Sequence, residues 1–249
     1  MITAVALEGL PEIEAGFDLA AAIARHPSFQ PPQPGDILVV AHKAVSKAEG
    51  RVRDLAEVNP GERAFALGTA TGKDPRHVQV ILDESREVVR ASRGVLITET
   101  RHGFVCANAG VDASNVPGDE AVVLLPLDPD ASARRIRSTI RQLTGTAPGI
   151  VITDSFGRAW RSGQCDVAIG CAGLKPAEDL RGTSDSQGRE LKATLIAVAD
   201  ELAAAADLTR TKSGREPVVL IRGAGRHVTA EDGPGAVALI RDPAQDLFR

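Results

Sequence analysis

The chain has few of the residues on which several classes of protein depend. Its 249 residues include no tyrosine, one tryptophan and only 3% aromatic residues. Proteins that bind single-stranded nucleic acid stack the bases on several aromatic side chains beside basic ones. The net charge of the chain is −4, so it has no overall basic field for a nucleic-acid backbone. We therefore expect no nucleic-acid partner, and any phosphate binding must come from local basic residues and backbone amides.

Cysteines and long apolar runs are also scarce. The three cysteines, Cys106, Cys165 and Cys171, are odd in number and match no zinc-binding spacing. No apolar run approaches the roughly 20 residues that span a bilayer, and the first residues lack the pattern of a secretion signal. We expect free thiols in a reducing, cytoplasmic compartment and no membrane partner.

Hydrophobic patterning predicts an α/β or α+β fold in one compact unit. Hydrophobic residues make up 43% of the chain, enough for a substantial core. The continuous apolar run Ile37–Ala41 predicts a buried strand, and Asp18 is positioned to cap a following helix. Strands and helices do not alternate strictly, which favours mixed sheets with flanking helices over a doubly wound fold. We expect two lobes of one ligand-binding unit over residues 1–249, with a boundary near Pro148-Gly149.

Hydrophobic patterning also predicts three elements in the second half of the chain. Residues 130–144 predict an amphipathic helix whose apolar face includes Leu143. The apolar run 149–153 predicts a strand that ends at Asp154, and residues 191–206 predict a long helix. Loops at strand ends expose functional groups while the sheet holds them rigid, so polar clusters at these ends are candidate sites.

Two such clusters lie in the first half of the chain. Lys43 and Lys47 follow the first buried strand, and lysine is a compact charge suited to phosphate oxygens. The segment lacks the glycines of a Walker A motif, and a solvated helix start is the alternative. Farther on, Asp112 and Asn115 offer hard oxygen ligands of the kind that hold Mg²⁺ together with substrate phosphates. An ordinary Asx turn explains that second pattern equally well.

A third cluster follows the strand at 149–153. Asp154 and Ser155 offer metal ligands, and Arg158 and Arg161 offer bidentate partners for an anionic substrate. A structural aspartate with surface arginines is the alternative. The polar turn at 185–191 is interpreted as mainly structural, opening the long helix.

Six stretches form one ordered pattern over nearly the whole chain. They are Glu-Gly-Leu-Pro at 8–11, Val-Ser-Lys-Ala-Glu-Gly-Arg at 45–51, Asn-Ala-Gly-Val-Asp-Ala-Ser-Asn at 108–115, Leu-Pro-Leu-Asp-Pro-Asp at 125–130, Thr-Asp-Ser-Phe-Gly-Arg at 153–158 and Val-Ala-Asp-Glu at 198–201. This pattern resembles the coenzyme F420-0:L-glutamate ligase family, which extends the deazaflavin coenzyme F420. The stretches at 45–51 and 108–115 are the most specific.

The resemblance implies an activity, its cosubstrates and an assembly. Members of the family join L-glutamate to coenzyme F420-0 with GTP and with Mn²⁺ or Mg²⁺, and K⁺ is a further candidate cation. GTP would phosphorylate the terminal carboxylate of the coenzyme precursor, and the glutamate amine would attack the acyl phosphate. The family fold is an uncommon α/β fold that forms intertwined homodimers.

The resemblance also implies a set of site residues. Those expected to contact the nucleotide are Leu10, Pro11, Glu12, Ile13, His42, Lys43, Lys47, Asn115, Thr211, Lys212, Ser213 and Gly214. Asp112 and Asp154 would bind one metal ion, and Ser155 a second. Lys47, Arg158 and Arg161 would be the catalytic residues.

The chain departs from the family pattern at two positions. Ser155 stands where the family more often has threonine, which keeps the hydroxyl. Lys212 falls near the position of an acidic metal ligand, and a protonated lysine cannot bind metal. We also expect no C-terminal flavin-type domain, which some relatives have. The alternatives to the ligase are a catalytically silent nucleotide-binding protein and an amide ligase for a different acidic acceptor.

Overall fold

The computed structural model describes residues 1–113, 120–211 and 214–246. Asn115, Lys212 and Ser213, all expected at the nucleotide site, lie outside the described residues. The described residues combine several sheets with flanking helices, so the predicted fold class is confirmed. No helix in this described part has the length and apolar character needed to cross a membrane.

Strands and helices are numbered here along the chain. The strands are β1 Thr3–Ala6, β2 Ile37–Ala41, β3 Val52–Asp54, β4 Ser85–Ser92, β5 Val95–Thr100, β6 Val105–Ala107, β7 Ala121–Val123, β8 Gly149–Arg158, β9 Arg161–Ala172, β10 Glu178–Asp179, β11 Leu195–Ile196 and β12 Val218–Arg222. The helices are α1 Leu19–Arg25, α2 His42–Ala48, α3 Glu62–Thr71, α4 Pro75–Asp83, α5 Pro129–Thr144 and α6 Val198–Asp207.

The main sheet has the strand order β1-β12-β2-β8-β9. The central pair β2 and β8 is parallel, and the other neighbours are antiparallel. β8 starts at Gly149, so the sheet joins strands from both sides of the expected lobe boundary at Pro148-Gly149. That boundary stays a prediction.

Both faces of the main sheet are covered, as the apolar run of β2 predicts. Ile37 and Val39 pack on one face with α6, and Leu38 and Val40 pack on the other with α1 and α5. All four side chains have 0% exposure because side chains alternate along a strand and both layers of helices exclude water. The result is a three-layer arrangement with the sheet in the middle. Asp18 caps α1 as predicted, accepting a 2.9 Å hydrogen bond from the Ala21 amide.

A second core lies beside the first. The sheets β3-β7 and β4-β5-β6 pack with α3 and α4 around their own buried side chains. Arg51 links the two cores just after α2, because its Nη2 donates to Glu84 Oε2 at 2.8 Å and its Nε to the Leu125 carbonyl at 3.0 Å. Arg51 therefore ties the second core to the segment that follows α2.

Three predictions about individual elements are wrong. β8 does not end at Asp154 but continues to Arg158, because β9 pairs along its whole length. The long helix expected at 191–206 begins only at Val198, because Leu195 and Ile196 form β11 and pair with β10. Leu143 is 50% exposed, although α5 buries Ile136 and Ile140 as expected.

The turn at 185–191 does not open α6 either. Asp185 Oδ1 accepts the amide hydrogens of Gln187 and Arg189, at 2.8 and 2.9 Å. Gly188 has φ +78°, a left-handed conformation that favours glycine in a tight turn. The turn is structural, as interpreted, but it closes a surface loop before β11.

Candidate functional site

Helix α2 is the element around which the predicted site residues gather. It begins at His42, directly after β2, and buries His42, Val45 and Ser46. Lys43 and Lys47 are four residues apart, so they lie on one face of the helix with about 5–6 Å between Cβ atoms. The apolar strand thus feeds a short helix that presents two ammonium groups on the same side.

Three carboxylates from distant segments meet these side chains. Lys47 Nζ lies 2.7 Å from Glu12 Oε1, and Lys43 Nζ lies 2.6 Å from Asp112 Oδ2. His42 Nε2 lies 3.2 Å from Asp154 Oδ1. The structure therefore brings the segments around residues 12, 112 and 154 to one helix.

The contact between His42 and Asp154 is incomplete. His42 is 2% exposed, and its Nε2 has no aligned hydrogen-bond partner among the described residues despite the nearby carboxylate. Its Nδ1 lies 3.4 Å from Ser46 Oγ, and Asp154 Oδ1 accepts the Ser155 amide at 2.8 Å. A buried polar nitrogen without a hydrogen bond is costly, which marks this place as one that a ligand or water could complete.

A strained turn presents Asp112. Asn108, Ala109 and Gly110 all have positive φ, at 54°, 54° and 69°. Two consecutive non-glycine residues in this region cost free energy, and such strain persists where the surroundings enforce it. A Cβ at Gly110 would lie 2.7 Å from Leu125 Cγ, so only glycine fits there. The turn is then fixed by two backbone hydrogen bonds between Asp112 and Val123.

The chemistry of these donors suits a hard divalent cation. Asp112 and Asp154 supply carboxylate oxygens, and Mg²⁺ is typically held by one or two carboxylates together with substrate phosphates and water. Within the described ranges, no group of three histidine, cysteine or acidic side chains is arranged to hold a metal alone. The residues fit a metal ion that arrives with a phosphate ligand, and Lys43 now balances the charge of Asp112. Their assignment as metal ligands stays a prediction.

Ser155 points away from this cluster. It follows Asp154 on β8, and successive side chains of a strand lie on opposite faces. Ser155 Oγ donates to Asp166 Oδ1 at 2.6 Å. Asp166 Oδ2 accepts from Thr153 Oγ1 at 2.9 Å and from Arg210 Nη1 at 3.0 Å. The predicted second metal ligand is thus an exposed serine that is hydrogen-bonded to a buried carboxylate.

Sequence reasoning missed the centre of that network. Asp166 is 3% exposed, and Arg210 also donates to the Val39 carbonyl at 3.0 Å. Burial lowers the pKa of Arg210, while the charges of Asp166 and Asp207 raise it. One signal was available: Asp166 is the lone charge beside the apolar run 167–172, and a charge in a buried strand requires a partner.

The predicted nucleotide loop divides into buried and exposed residues. Leu10 and Ile13 belong to the core, whereas Pro11 and Glu12 are exposed. The hydrogen bond from Lys47 lowers the pKa of Glu12, and the charge of Arg215 contributes. Arg215 therefore lies near this loop, on the segment that carries Thr211 and Gly214. Contact of Leu10 and Ile13 with a nucleotide would have to use backbone atoms.

The structure does not bring Arg158 and Arg161 to α2. Both are exposed on the β8–β9 hairpin, and Arg158 Nη2 donates to the Ser162 carbonyl at 2.6 Å. Arg158 lies roughly 13 Å along the strand from Asp154, at about 3.3 Å per residue. Trp160 at the tip is 80% exposed. The arginines are available to anions, but not within this cluster.

Cys106 is a buried residue of β6 whose thiol is chemically unreactive. The three cysteines are free, as expected. Burial raises the pKa of the Cys106 thiol to about 12, and the charge of Asp154 adds to the shift. A thiol that stays protonated at neutral pH is neither a nucleophile nor a metal ligand.

Comparisons with known proteins agree on the class of this chain, which is that of an amide-forming ligase. The family described as F420-0:Gamma-glutamyl ligase matches residues 9–223. The coenzyme F420:L-glutamate ligase of Methanopyrus kandleri is 45% identical over 96% of this chain and 94% of its own length. The enzyme of the same name from Methanothermobacter thermautotrophicus is 43% identical over 100% and 99%, respectively. The chain belongs to the F420-0:gamma-glutamyl ligase family.

Proposed function

We propose that this chain joins L-glutamate to coenzyme F420-0 in coenzyme F420 biosynthesis, using GTP and a divalent metal ion, Mn²⁺ or Mg²⁺. Family membership over residues 9–223 supports the reaction class. The structural observation that carries the proposal is the meeting of Lys43, Lys47, Asp112 and Asp154 at α2. These are the charges that a metal-bound triphosphate requires, and they come from separate parts of the chain.

The reaction requires an activated carboxyl group. In the proposed first step, a carboxylate oxygen of the acceptor bonds to the γ-phosphorus of GTP, and the bond to the β-phosphate oxygen breaks to release GDP. In the second step, the glutamate amine attacks the acyl carbon, an amide bond forms and phosphate leaves while the amine loses a proton. No protein side chain becomes covalently modified.

The side chains of α2 would act by position and charge. Lys47, with Lys43, would stabilise the negative charge that shifts between oxygens as the phosphoryl group moves. Each lysine now pairs with a carboxylate, so both ammonium groups are already held near the position that the phosphates would take. A metal ion bound at Asp112 and Asp154 would neutralise phosphate charge, and a second ion at Ser155 would have to bind from the opposite face of β8, where Ser155 donates to Asp166. His42 would hold the Asp154 carboxylate in place.

The exposed hairpin supports the homodimer as part of the proposal. Arg158 and Arg161 are about 13 Å or more along the strands from Asp154, so we propose that they bind substrate anions across a subunit interface. Analytical ultracentrifugation should give twice the monomer mass. A monomer with full activity would exclude this role.

Mass spectrometry of the coenzyme product tests the proposed function directly. The chain is incubated with coenzyme F420-0, GTP, Mn²⁺ and L-glutamate, and GDP is measured in parallel. We expect a glutamylated product, and GDP release beyond one equivalent of protein only when acceptor and glutamate are both present. GTP binding without product would favour the catalytically silent alternative, and product formed only with another acidic acceptor would redefine the substrate.

A further inference from the structure

A cavity of about 370 Å³ opens beside the candidate site. Its volume lies at the lower end of the range for small-molecule sites, about 300–1,000 Å³. One side is apolar and one side carries charge. The apolar wall comes from Phe104, Leu127, Ile169, Val237 and Ile240, and Arg134 lies at the polar side. We call this cavity the ring slot.

An aromatic ladder forms the base of the ring slot. The rings of His102 and Phe104 stack with centroids 5.8 Å apart, and Phe156 meets Phe104 edge-on at 6.2 Å. His102 Nε2 lies 2.9 Å from the Pro126 carbonyl and 3.1 Å from the Leu127 carbonyl, which fixes the ring. Phe104 and Phe156 are two of the six phenylalanines in the chain.

The aromatic rings of the slot lead toward the candidate site. Phe104 and Cys106 lie two residues apart beside β6, and Phe156 and Asp154 lie two residues apart on β8. The rings of Phe104 and Phe156 meet edge-on, so the two segments lie side by side. Because alternate residues of a strand share a face at a spacing of about 7 Å, the slot begins one side chain away from Asp154.

The polar side of the ring slot carries one cation, Arg134, and two carboxylates, Asp128 and Asp130. Arg134 Nη2 lies 3.9 Å from Asp128 Oδ2, at the outer limit of an ion pair, and the Arg134 side chain is 38% exposed. The other acid there, Asp130, already accepts the amides of Cys171 and Ala236, both at 2.7 Å. Arg134 is therefore the group at this side that can take a bidentate anion.

We propose that the ring slot binds the flat conjugated ring of the acceptor substrate, with Arg134 pairing with an anionic group on the chain that carries the reacting carboxylate. This inference rests on the proposed function for the identity of the acceptor. A ring inserted beside Phe104 would direct its side chain toward Asp154, since Phe156 meets Phe104 edge-on and lies two residues from Asp154 on β8. The slot would then determine which acceptors the ligase accepts.

Leu127→Asp is the main test, with Leu208→Asp as its matched control. Both leucines are largely exposed, at 67% and 89%, so neither change should unfold the protein, and Leu208 is not in the ring slot. The dissociation constant for coenzyme F420-0 is measured by calorimetry, together with that for GTP and Mn²⁺. We expect Leu127→Asp to weaken acceptor binding at least about tenfold, because a carboxylate must lose water beside an apolar ring. The control and the GTP affinities should stay unchanged.

A second pair of variants tests the aromatic surface and the charge. Phe104→Leu keeps an apolar side chain but removes the ring, and Phe65→Leu on the exposed face of α3 is its control. Arg134→Gln removes the charge, and Arg141→Gln on the same helix is its control. We expect each slot variant to raise KM for the acceptor while KM for L-glutamate stays the same.

The outcomes separate this inference from the proposed function. Wild-type protein that binds coenzyme F420-0 in the slot but forms no glutamylated product would overturn the function and leave the slot standing. Normal turnover with unchanged acceptor affinity in Leu127→Asp and Phe104→Leu would overturn the slot alone. Wild-type protein that does not bind coenzyme F420-0 would overturn both.

Discussion

The two faces of β8 handle charge in different ways. On the α2 face, Asp154 lies beside His42, which is buried and has an Nε2 without an aligned hydrogen bond in the described structure. On the opposite face, Asp166 is 3% exposed, and both of its oxygens accept hydrogen bonds, from Ser155, Thr153 and Arg210. Asp154 and Ser155, neighbours on β8, thus face different surroundings. The hydrogen bonding around Asp154 and His42 is incomplete, whereas that around Asp166 is nearly complete.

This difference indicates which carboxylate is suited to bind a ligand and which stabilises the fold. A carboxylate whose oxygens are occupied by buried donors cannot gain much from a ligand, and removing it leaves those donors unpaired. A carboxylate with one movable partner can exchange that partner for a metal or a phosphate-bound cation. We therefore expect changes on the Asp166 face to affect folding and changes on the α2 face to affect catalysis.

Asp166→Ala should have the largest effect on stability. Removing one member of a buried ion pair typically costs about 3–5 kcal/mol, because Arg210 would keep a buried and uncompensated charge. Urea unfolding followed by circular dichroism measures the loss. Asp154→Ala serves as the comparison and should cost far less. Equal losses in the two variants would remove the proposed difference between the faces.

Asp154→Ala should have the largest effect on catalysis among variants that stay folded. Loss of a positioned charge partner of the transition state costs about 3 kcal/mol or more, at least a hundredfold in rate. The rate of GDP release in the presence of acceptor and L-glutamate measures it. Glu57→Ala, an exposed carboxylate near the second core, is the control. Wild-type turnover in Asp154→Ala would exclude this residue from the site.

Lys47→Ala should lower turnover by a similar factor with an even smaller effect on folding. Its ion pair with Glu12 has a half-exposed carboxylate, and such pairs contribute only about 0–1 kcal/mol to stability. We expect a loss of at least a hundredfold in kcat, about 3 kcal/mol. Glu12→Gln, which leaves the lysine without its partner, should reduce kcat much less. The opposite order would make Glu12 the active group.

Asp200→Asn should have the smallest effect on stability, and the size of that effect depends on pH. Burial raises the pKa of Asp200, and the hydrogen bond from the Ala168 amide lowers it. Because the folded protein then binds this proton more tightly than the unfolded chain, wild-type stability falls as pH rises from the unfolded pKa through the folded one. At pH 7 the asparagine variant should have the higher Tm. That advantage should shrink below the unfolded pKa of 3.8, and an advantage independent of pH would contradict the assignment.

Local sequence patterns predicted the buried strands of the main sheet. The polar hairpin and the start of α6 depend on contacts between residues that are distant in sequence. The run Ile37–Ala41 forms β2 with the predicted bounds, because a buried strand needs apolar residues on both faces. The β8–β9 hairpin beyond Asp154 is polar and partly exposed, so no apolar pattern indicates that it is a strand. The residues of 191–197 contain no glycine or proline that would break a helix, and only the packing of α6 shows where the helix starts.

The candidate site shows the same division. Its residue types were predictable because phosphate and metal chemistry requires lysines and carboxylates. Their pairing was not, since Lys47 meets Glu12 across 35 positions and Arg210 meets Asp166 across 44. Only the tertiary structure brings such residues together. The strand conformation of β8 places the side chains of Ser155 and Asp154 on opposite faces of the sheet.

A double-mutant cycle between Lys47 and Asp154 tests most directly whether both belong to one nucleotide and metal pocket. The dissociation constant of the GTP–Mn²⁺ complex is measured for the wild type, Lys47→Ala, Asp154→Ala and the double variant. A shared ligand predicts a coupling free energy of about 1 kcal/mol or more. Effects that add to within about 0.3–0.5 kcal/mol would mean that the two side chains act at independent places.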